Sequence, residues 1–375
     1  MERYKSLEAY IDGKKVGTLA TYRDQLIAFE YADSWIKEGY AISPRSLPLQ
    51  KKVYIPKIVP FDGAFGVFAD SLPDGWGHLI VDRMLLREHI NPHEIDILNR
   101  LAIVGETGMG ALTYRPVHKI QSEKAQIEYD RLAAECRHIL GTEYSNDLDT
   151  LFVLSGSSGG ARPKILTKID GEDWIVKFPA SLDDPNIGLV EYQYSLCAKK
   201  CGIEMAETRL LSSRQCEGYF GTKRFDRVAL NGHMKRIHML SVSAILEVSH
   251  RIPSLDYNTL MVLTLELTKD YSEVEKMYRL MCFNVFAHNR DDHSKNFTYI
   301  YDEDKDGWRL SPAYDLTYSS TYYGEHTTTV DGNGRNPDIK ELVAVGTVAG
   351  MSKDKCVVIA QDIEKCVKDM LGKYI

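Results

Sequence analysis

The segment FAHNRDDHSKNFTYIY, residues 286–301, gathers His288, Arg290, Asp291, Asp292, His293, Lys295 and Asn296 between an apolar helical stretch and an aromatic, strand-like run. Asp291 stands five residues before Asn296, and Arg290 precedes the aspartate. D-x-x-x-x-N is the spacing of a phosphoryl-transfer catalytic loop. One carboxylate accepts a hydroxyl proton, and an amide oxygen one turn on holds Mg²⁺. Asp292 is four residues from Asn296, so the spacing favours Asp291 as the base. A solvated loop with a capping aspartate would use the same residues. A metal site on His288 and His293 has less support, because five-residue spacing in a loop fixes no common face and no HExxH is present.

Phosphoryl transfer is mostly positioning and electrostatics, so it needs several donors around one polyphosphate. SGSSGGARPK supplies Gly156, Gly159 and Gly160, where bare backbone can approach phosphate oxygens, and ends on Lys164. It lacks the GK[ST] of a Walker loop. Lys177, in DWIVKFP, sits in an apolar strand, where a lysine is costly unless it meets an anion. Glu191, on the following helix, offers a carboxylate to orient Lys177. Asp315, in LSPAYDL, follows a strand and a proline turn and supplies a second Mg²⁺ ligand. Each has an ordinary reading as a turn residue or an edge-strand lysine. Their order along the chain, glycine loop, Lys, Glu, D-x-x-x-x-N, Asp, is that of a kinase.

The elements that position these residues are legible in outline. LEAYIDGKKVGTLATY reads as a hairpin around an Asp-Gly turn. LPDGWGHLIVDRMLLREHI reads as a helix capped by Asp74. VGETGMGAL is a tight glycine turn leading into a short strand, and 117–147 a charged, helix-prone connector. FVLS before the glycine loop reads as a strand, followed by two strands around Asp170-Gly171. NIGLVEYQYSLCAKKCGI is a helix closed by Gly202. SEVEKMYRLMCFNVF reads as a helix opened by a Ser272–Glu275 capping box, with Val274, Met277, Tyr278, Met281 and Val285 on its apolar face. The expected fold is α+β: an N-terminal β-rich accessory domain (1–116), the connector (117–147) and a two-lobed, protein-kinase-like domain (148–375). Its β-rich lobe covers about 148–250 and its helical lobe about 251–375, with a cleft expected between them.

The 375 residues are 44% hydrophobic and 26% charged, with a formal net charge of −7. That balance argues against an electrostatic grip on nucleic acid or anionic membrane. The opening MERYKSLEAY is not read as a signal peptide, and no apolar run is long enough to span a bilayer. The seven cysteines show no CxxC or other metal-ligand spacing and are read as reduced thiols of a cytoplasmic protein.

The sequence resembles the HipA-like serine/threonine kinases, toxins of bacterial toxin–antitoxin modules. SGSSGGARPKIL, WIVKFP, KRFDR, NRDDHSKNF and LSPAYDL carry the resemblance, and LPDGWG and VGETGMGAL extend it to the N-terminal third. It implies ATP and Mg²⁺ as cofactors, Asp291 as base, Asn296 and Asp315 as metal ligands, and Lys177 on the phosphates. It further implies an adenine-binding hinge at Lys223 to Phe225, and His293 and Tyr314 lining the nucleotide site. Ser157, or Ser158 beside it, would be autophosphorylated to switch the kinase off. The implied partners are a protein substrate, an aminoacyl-tRNA synthetase in well-known members, and a small helix-turn-helix antitoxin through which DNA is reached indirectly. The loop departs from the Gly-Ala-Gln type of some members, and Asp292 stands where a small residue is common. Two rivals are a small-molecule kinase of the aminoglycoside-phosphotransferase kind and an inactive scaffold holding an antitoxin on DNA.

Overall fold

The first hairpin follows its turn chemistry. β1 (Ser6–Ile11) and β2 (Lys14–Tyr22) pair antiparallel around Asp12 and Gly13, whose φ values of 45° and 77° are those of a tight primed turn. The computed structural model describes residues 3–23, 25–118, 128–143, 145, 147–155, 159–230 and 232–375. Packing groups the chain into two units. One holds Met1–Gly188, Leu211–Leu240 and Ala244–Glu247; the other holds Leu189–Leu210, Ser241–Ser243 and Val248–Ile375.

In the first unit, β3 (Leu26–Tyr31), β4 (Val53–Tyr54) and β5 (Thr113–Arg115) complete a sheet of order β4-β3-β2-β1-β5. Helices α1 (Asp33–Glu38), α2 (Gly66–Ala69), α3 (Gly75–Arg87), α4 (Ile97–Val104), α5 (Tyr129–Leu140) and α6 (Leu148–Ser155) follow or interrupt these strands. Then β6 (Lys164–Ile169) and β7 (Glu172–Lys177) form a second hairpin around Asp170 and Gly171. Trp76, Ile80, Leu132, Leu151, Ile165 and Val176 share one buried core, which joins α3, α5 and α6 to this hairpin.

Two expectations fail here. FVLS belongs to α6, not to a strand. A short apolar run carries no period of its own; Leu151 enters the core, and Ser155 Oγ accepts from Trp76 Nε1 at 2.9 Å. Asp74 occupies the N-cap position of α3 without capping it. Its carboxylate instead accepts from the Gly160 amide, while Trp76 N donates to Gly160 O at 3.0 Å. The backbones touch so closely that a Cβ on Gly75 would lie 2.5 Å from Gly160 O. Glycine is required at 75 for this approach and for its φ of 41°.

After α7 (Ile187–Lys200) and β8 (Thr208–Leu211), β9 (Tyr219–Lys223) pairs with β7, and β10 (Arg227–Leu230) with β11 (His233–Arg236). The glycine turn at 105–110 docks on this region. Arg227 Nη2 and Arg236 Nη2 donate to Gly108 O at 2.8 and 2.9 Å, Arg236 Nη1 to Glu106 O at 2.7 Å, and Asp226 Oδ2 accepts from Gly110 N at 2.7 Å. Nearby, buried His238 donates from Nε2 to Ile42 O at 2.8 Å. Burial lowers its pKa from 6.5 to about 4, although the Ile42 bond works the other way. The unfolded chain therefore binds a proton that the folded chain refuses, and folding stability is lost as pH falls from about 6.5 towards about 4. Urea unfolding followed by circular dichroism across that window should show the loss. A flat profile would mean that the ring is protonated in the folded protein.

In the second unit, β13 (Leu255–Asp256) and β16 (Thr328–Thr329) pair parallel, and β14 (Thr298–Asp302) and β15 (Gly307–Leu310) antiparallel, after β12 (Met239–Ser241) and α8 (Val242–Leu246) in the chain. They are accompanied by α9 (Tyr257–Thr268), α10 (Tyr271–Phe286), α11 (Ile339–Val348) and α12 (Lys353–Leu371). The expected apolar face of α10 is buried throughout. Its cap is not the Ser272–Glu275 box. Asp270 accepts from Ser272 N at 2.8 Å, and Glu275 instead pairs with Arg279 and Lys355. An aspartate two residues earlier outcompetes serine because its charge also meets the positive helix end. Helix α11 approaches α12 through Gly346, where a Cβ would sit 2.4 Å from Cys356 Sγ. Among the described residues, no helix is long and apolar enough to cross a membrane.

Candidate active site

The loop after α10 is held by its own polar side chains. Tyr194 OH donates to Ala287 O at 2.8 Å as the helix ends, and His288 takes a left-handed φ of 52°. Asn289 Nδ2 donates to Asn284 Oδ1, Asn284 Nδ2 to Tyr257 OH, and Tyr257 OH to Asp292 Oδ2, each at 2.9 Å. His326 Nδ1 meets the same Oδ2 at 3.0 Å, and Thr328 N donates to Asp292 Oδ1 at 3.0 Å. Asp292 is thus a fully buried carboxylate with both oxygens engaged.

Asp291 points the other way, its side chain 61% exposed. Asn296 Nδ2 donates to the Asp291 carbonyl at 2.7 Å, closing the D-x-x-x-x-N interval and directing Oδ1 elsewhere. His293 caps the short 3-10 turn Ser294–Asn296: its Nδ1 accepts from Lys295 N at 3.2 Å, while Nε2 stands 4.0 Å from Asp291 Oδ1. The His250 ring lies beside it, tilted by 56° with 5.4 Å between ring centroids. Tyr314 OH donates to Lys295 O at 2.6 Å and lies 2.6 Å from Thr298 Oγ1. Tyr314 thereby ties the Asp315 segment to the loop. Asp315 itself has a φ of 53°, uncommon for a residue with a side chain and frequent at functional sites. An amide oxygen and a carboxylate are hard oxygen donors, so Asn296 and Asp315 fit Mg²⁺ in chemical type.

In the first unit, Lys164 and Lys177 are direct partners across β6 and β7, and Phe220 is Lys177's partner on β9. Lys177 Nζ lies 5.6 Å from the Phe220 ring centroid. The two lysines thus face one another across the hairpin. Buried Lys164 donates to Gly159 O, and a Cβ on Gly160 would meet its Nζ at 2.5 Å. That lysine end can move aside, and it is the φ of 92° at Gly160 that calls for glycine. Gly156, Ser157 and Ser158 lie outside the described residues. Lys223 pairs with Glu172 through its side chain, and Arg224 N donates to Asp173 O at 2.8 Å at the end of β9, just before Phe225. Glu191 is buried in α7, within the second unit.

Sequence reasoning missed Tyr257, Asn284, His326 and Thr328. Only the doubled aspartate hinted that one of the pair needed partners. His288 and His293 join no group of three or more potential metal ligands among the described residues.

Residues 7–115 match the family model described as HipA N-terminal domain, and residues 156–371 that described as HipA-like C-terminal domain. A provisionally named kinase, Y4dM of Sinorhizobium fredii, is 23% identical over 351 residues, covering 88% of this chain and 81% of the relative. Among solved structures, HipA from the Shewanella oneidensis MR-1 toxin–antitoxin complex of HipA, HipB and operator DNA aligns over 98% of this chain and 90% of its own. The TM-score is 0.71 at 18% identity, a likeness of fold.

Proposed function

The chain belongs to the HipA family, and from that premise we propose that it is a Mg-ATP-dependent serine/threonine protein kinase. The observation that carries this reading is the contrast between adjacent aspartates: Asp292 is locked inside by three donors, and Asp291 is presented to solvent with Asn296 fastened to its carbonyl. Asp291 takes the proton of the acceptor hydroxyl as the phosphoryl group arrives. Asn296 and Asp315 would hold Mg²⁺, which supplies charge neutralisation on the transferring phosphoryl group. Lys177, Lys164 and the glycine loop bind and orient the phosphates, with Glu191 orienting Lys177. His293 and Tyr314 line the site, and the 223–225 segment offers backbone to adenine. An antitoxin partner is proposed from the HipB-bound relative, a protein acceptor such as an aminoacyl-tRNA synthetase from the resemblance, and Ser157 or Ser158 as the autophosphorylation site.

Incubation with radiolabelled ATP, Mg²⁺ and cell lysate tests the reading. Label on a protein band supports it, whereas label only on metabolites would transfer the chain to the small-molecule kinases. Mass spectrometry of the same preparation should find phosphate on Ser157 or Ser158. Lys177→Ala should weaken binding of a fluorescent ATP analogue without unfolding the protein. Equal affinities would make Lys177 an ordinary strand lysine.

A further inference from the structure

Cys197, Cys201 and Cys366 bring their sulfur atoms within 4.8 Å of one another in the second unit. Sequence reading passed over them because the third ligand comes from a distant helix. Cys197 and Cys201 are four residues apart, on one face of α7 and its final turn, where Cys201 N donates to Cys197 O at 2.9 Å. Cys366 comes from α12, and the Cys197 thiol donates to the Cys366 carbonyl at 3.9 Å. Cys197 and Cys201 are buried and Cys366 half-buried.

We propose that these three cysteines form a site for one thiophilic cation of the zinc class. Thiolate is the ligand that selects such ions. Tetrahedral zinc with sulfur at about 2.3 Å sets its ligands roughly 3.8 Å apart, so the thiols need close by no more than about 1 Å. The half-buried edge at Cys366 leaves the fourth position to water. The last turn of α7 favours a cation at its carbonyl end and disfavours bare thiolates, so the metal suits the place better than three anions would. Lys200, whose charge acts on Cys197 and Cys366, offsets the remaining negative charge. Three thiols, one Zn²⁺ and one water give a tris-thiolate aquo complex of charge −1 and release three protons. Bound metal would pin α7, the helix that carries Glu191, to α12.

The test is zinc titration of the full-length, reduced protein against a chromophoric chelator, with Co²⁺ as a second probe. One equivalent per chain is expected, with sulfur-to-cobalt charge-transfer absorption. Cys197→Ser and Cys366→Ser should bind more than about 100-fold more weakly, beyond the 10–100-fold that loss of a supporting hydrogen bond costs. Cys216→Ser, outside the cluster, should bind as wild type. Absence of a stoichiometric site in the wild-type protein would overturn the proposal, and so would undiminished binding in both cluster variants. Peptide mapping of the unreduced protein that joins two of Cys197, Cys201 and Cys366 through a disulfide would also overturn it. None of these readouts depends on kinase activity.

Discussion

Asp291→Asn should cut phosphoryl transfer about 10²–10⁴-fold, the usual cost of losing a positioned base, while the melting temperature stays at the wild-type value. The side chain is mostly exposed and the substitution isosteric, so the fold should keep its stability. Asp292→Asn should behave in the opposite sense. Its Oδ1 and Oδ2 accept from Thr328 N, Tyr257 OH and His326. An amide NH₂ in place of either oxygen sets donor against donor inside the protein. That variant should melt early, and its loss of activity should track its loss of folded protein. Thermal denaturation beside single-turnover rates for both variants decides the matter. Full activity in Asp291→Asn, with a normally folded but inactive Asp292→Asn, would exchange the two roles.

Asp226→Ala should destabilise the protein by about 3–5 kcal/mol, the cost of stranding buried charge by removing its partner. Asp226 is fully buried. It accepts from Arg224 Nε at 2.9 Å, Arg224 Nη2 at 2.7 Å, Arg227 Nη1 at 2.8 Å and Gly110 N at 2.7 Å. Burial alone would raise its pKa, but the two guanidiniums and the Gly110 amide prevail and hold it at about 2. Because the folded value lies below the unfolded 3.8, the carboxylate stabilises the fold above that pH, and this contribution is lost as pH falls towards 2. Urea denaturation of wild type and variant at neutral pH measures the effect. A difference under about 1 kcal/mol, within the range of exposed ion pairs, would mean that water reaches the two arginines.

Local chemistry was legible wherever a few consecutive residues decide the conformation. Asp12-Gly13 and Asp170-Gly171 make their hairpins, Gly202 takes a φ of 75° at the end of α7, and α10 buries the face its spacing marks. The Asp291–Asn296 interval is likewise closed by a bond within the interval itself. What stayed hidden depends on partners distant in sequence. Asp74 could have capped α3 by local rules, but the Gly160 amide, 86 residues on, offers a donor in the folded chain and takes the carboxylate. Asp292 draws its donors from positions 34 to 36 residues away, and no spacing announces them. FVLS was too short for its period to distinguish helix from strand, and only packing under Trp76 settled it.

The arginine cluster on the 105–110 turn also bears on the order in which the molecule is made. Its carbonyl acceptors leave the ribosome long before their donors: Arg236 follows Gly110 by 126 residues. At roughly 5–20 residues per second of synthesis, the turn waits on the order of 10 s for its guanidiniums. Until then Glu106, Gly108 and Gly110 have only water to bond. A nascent chain arrested short of residue 224, before any of these arginines is made, should therefore remain open to protease at this turn, and release of the arrest should protect it. By the same logic, a chain begun at residue 148 has Arg224, Arg227, Arg236 and Asp226 but none of the backbone that receives them. The N-terminal third is thus a template on which the later segment closes rather than a detachable appendage.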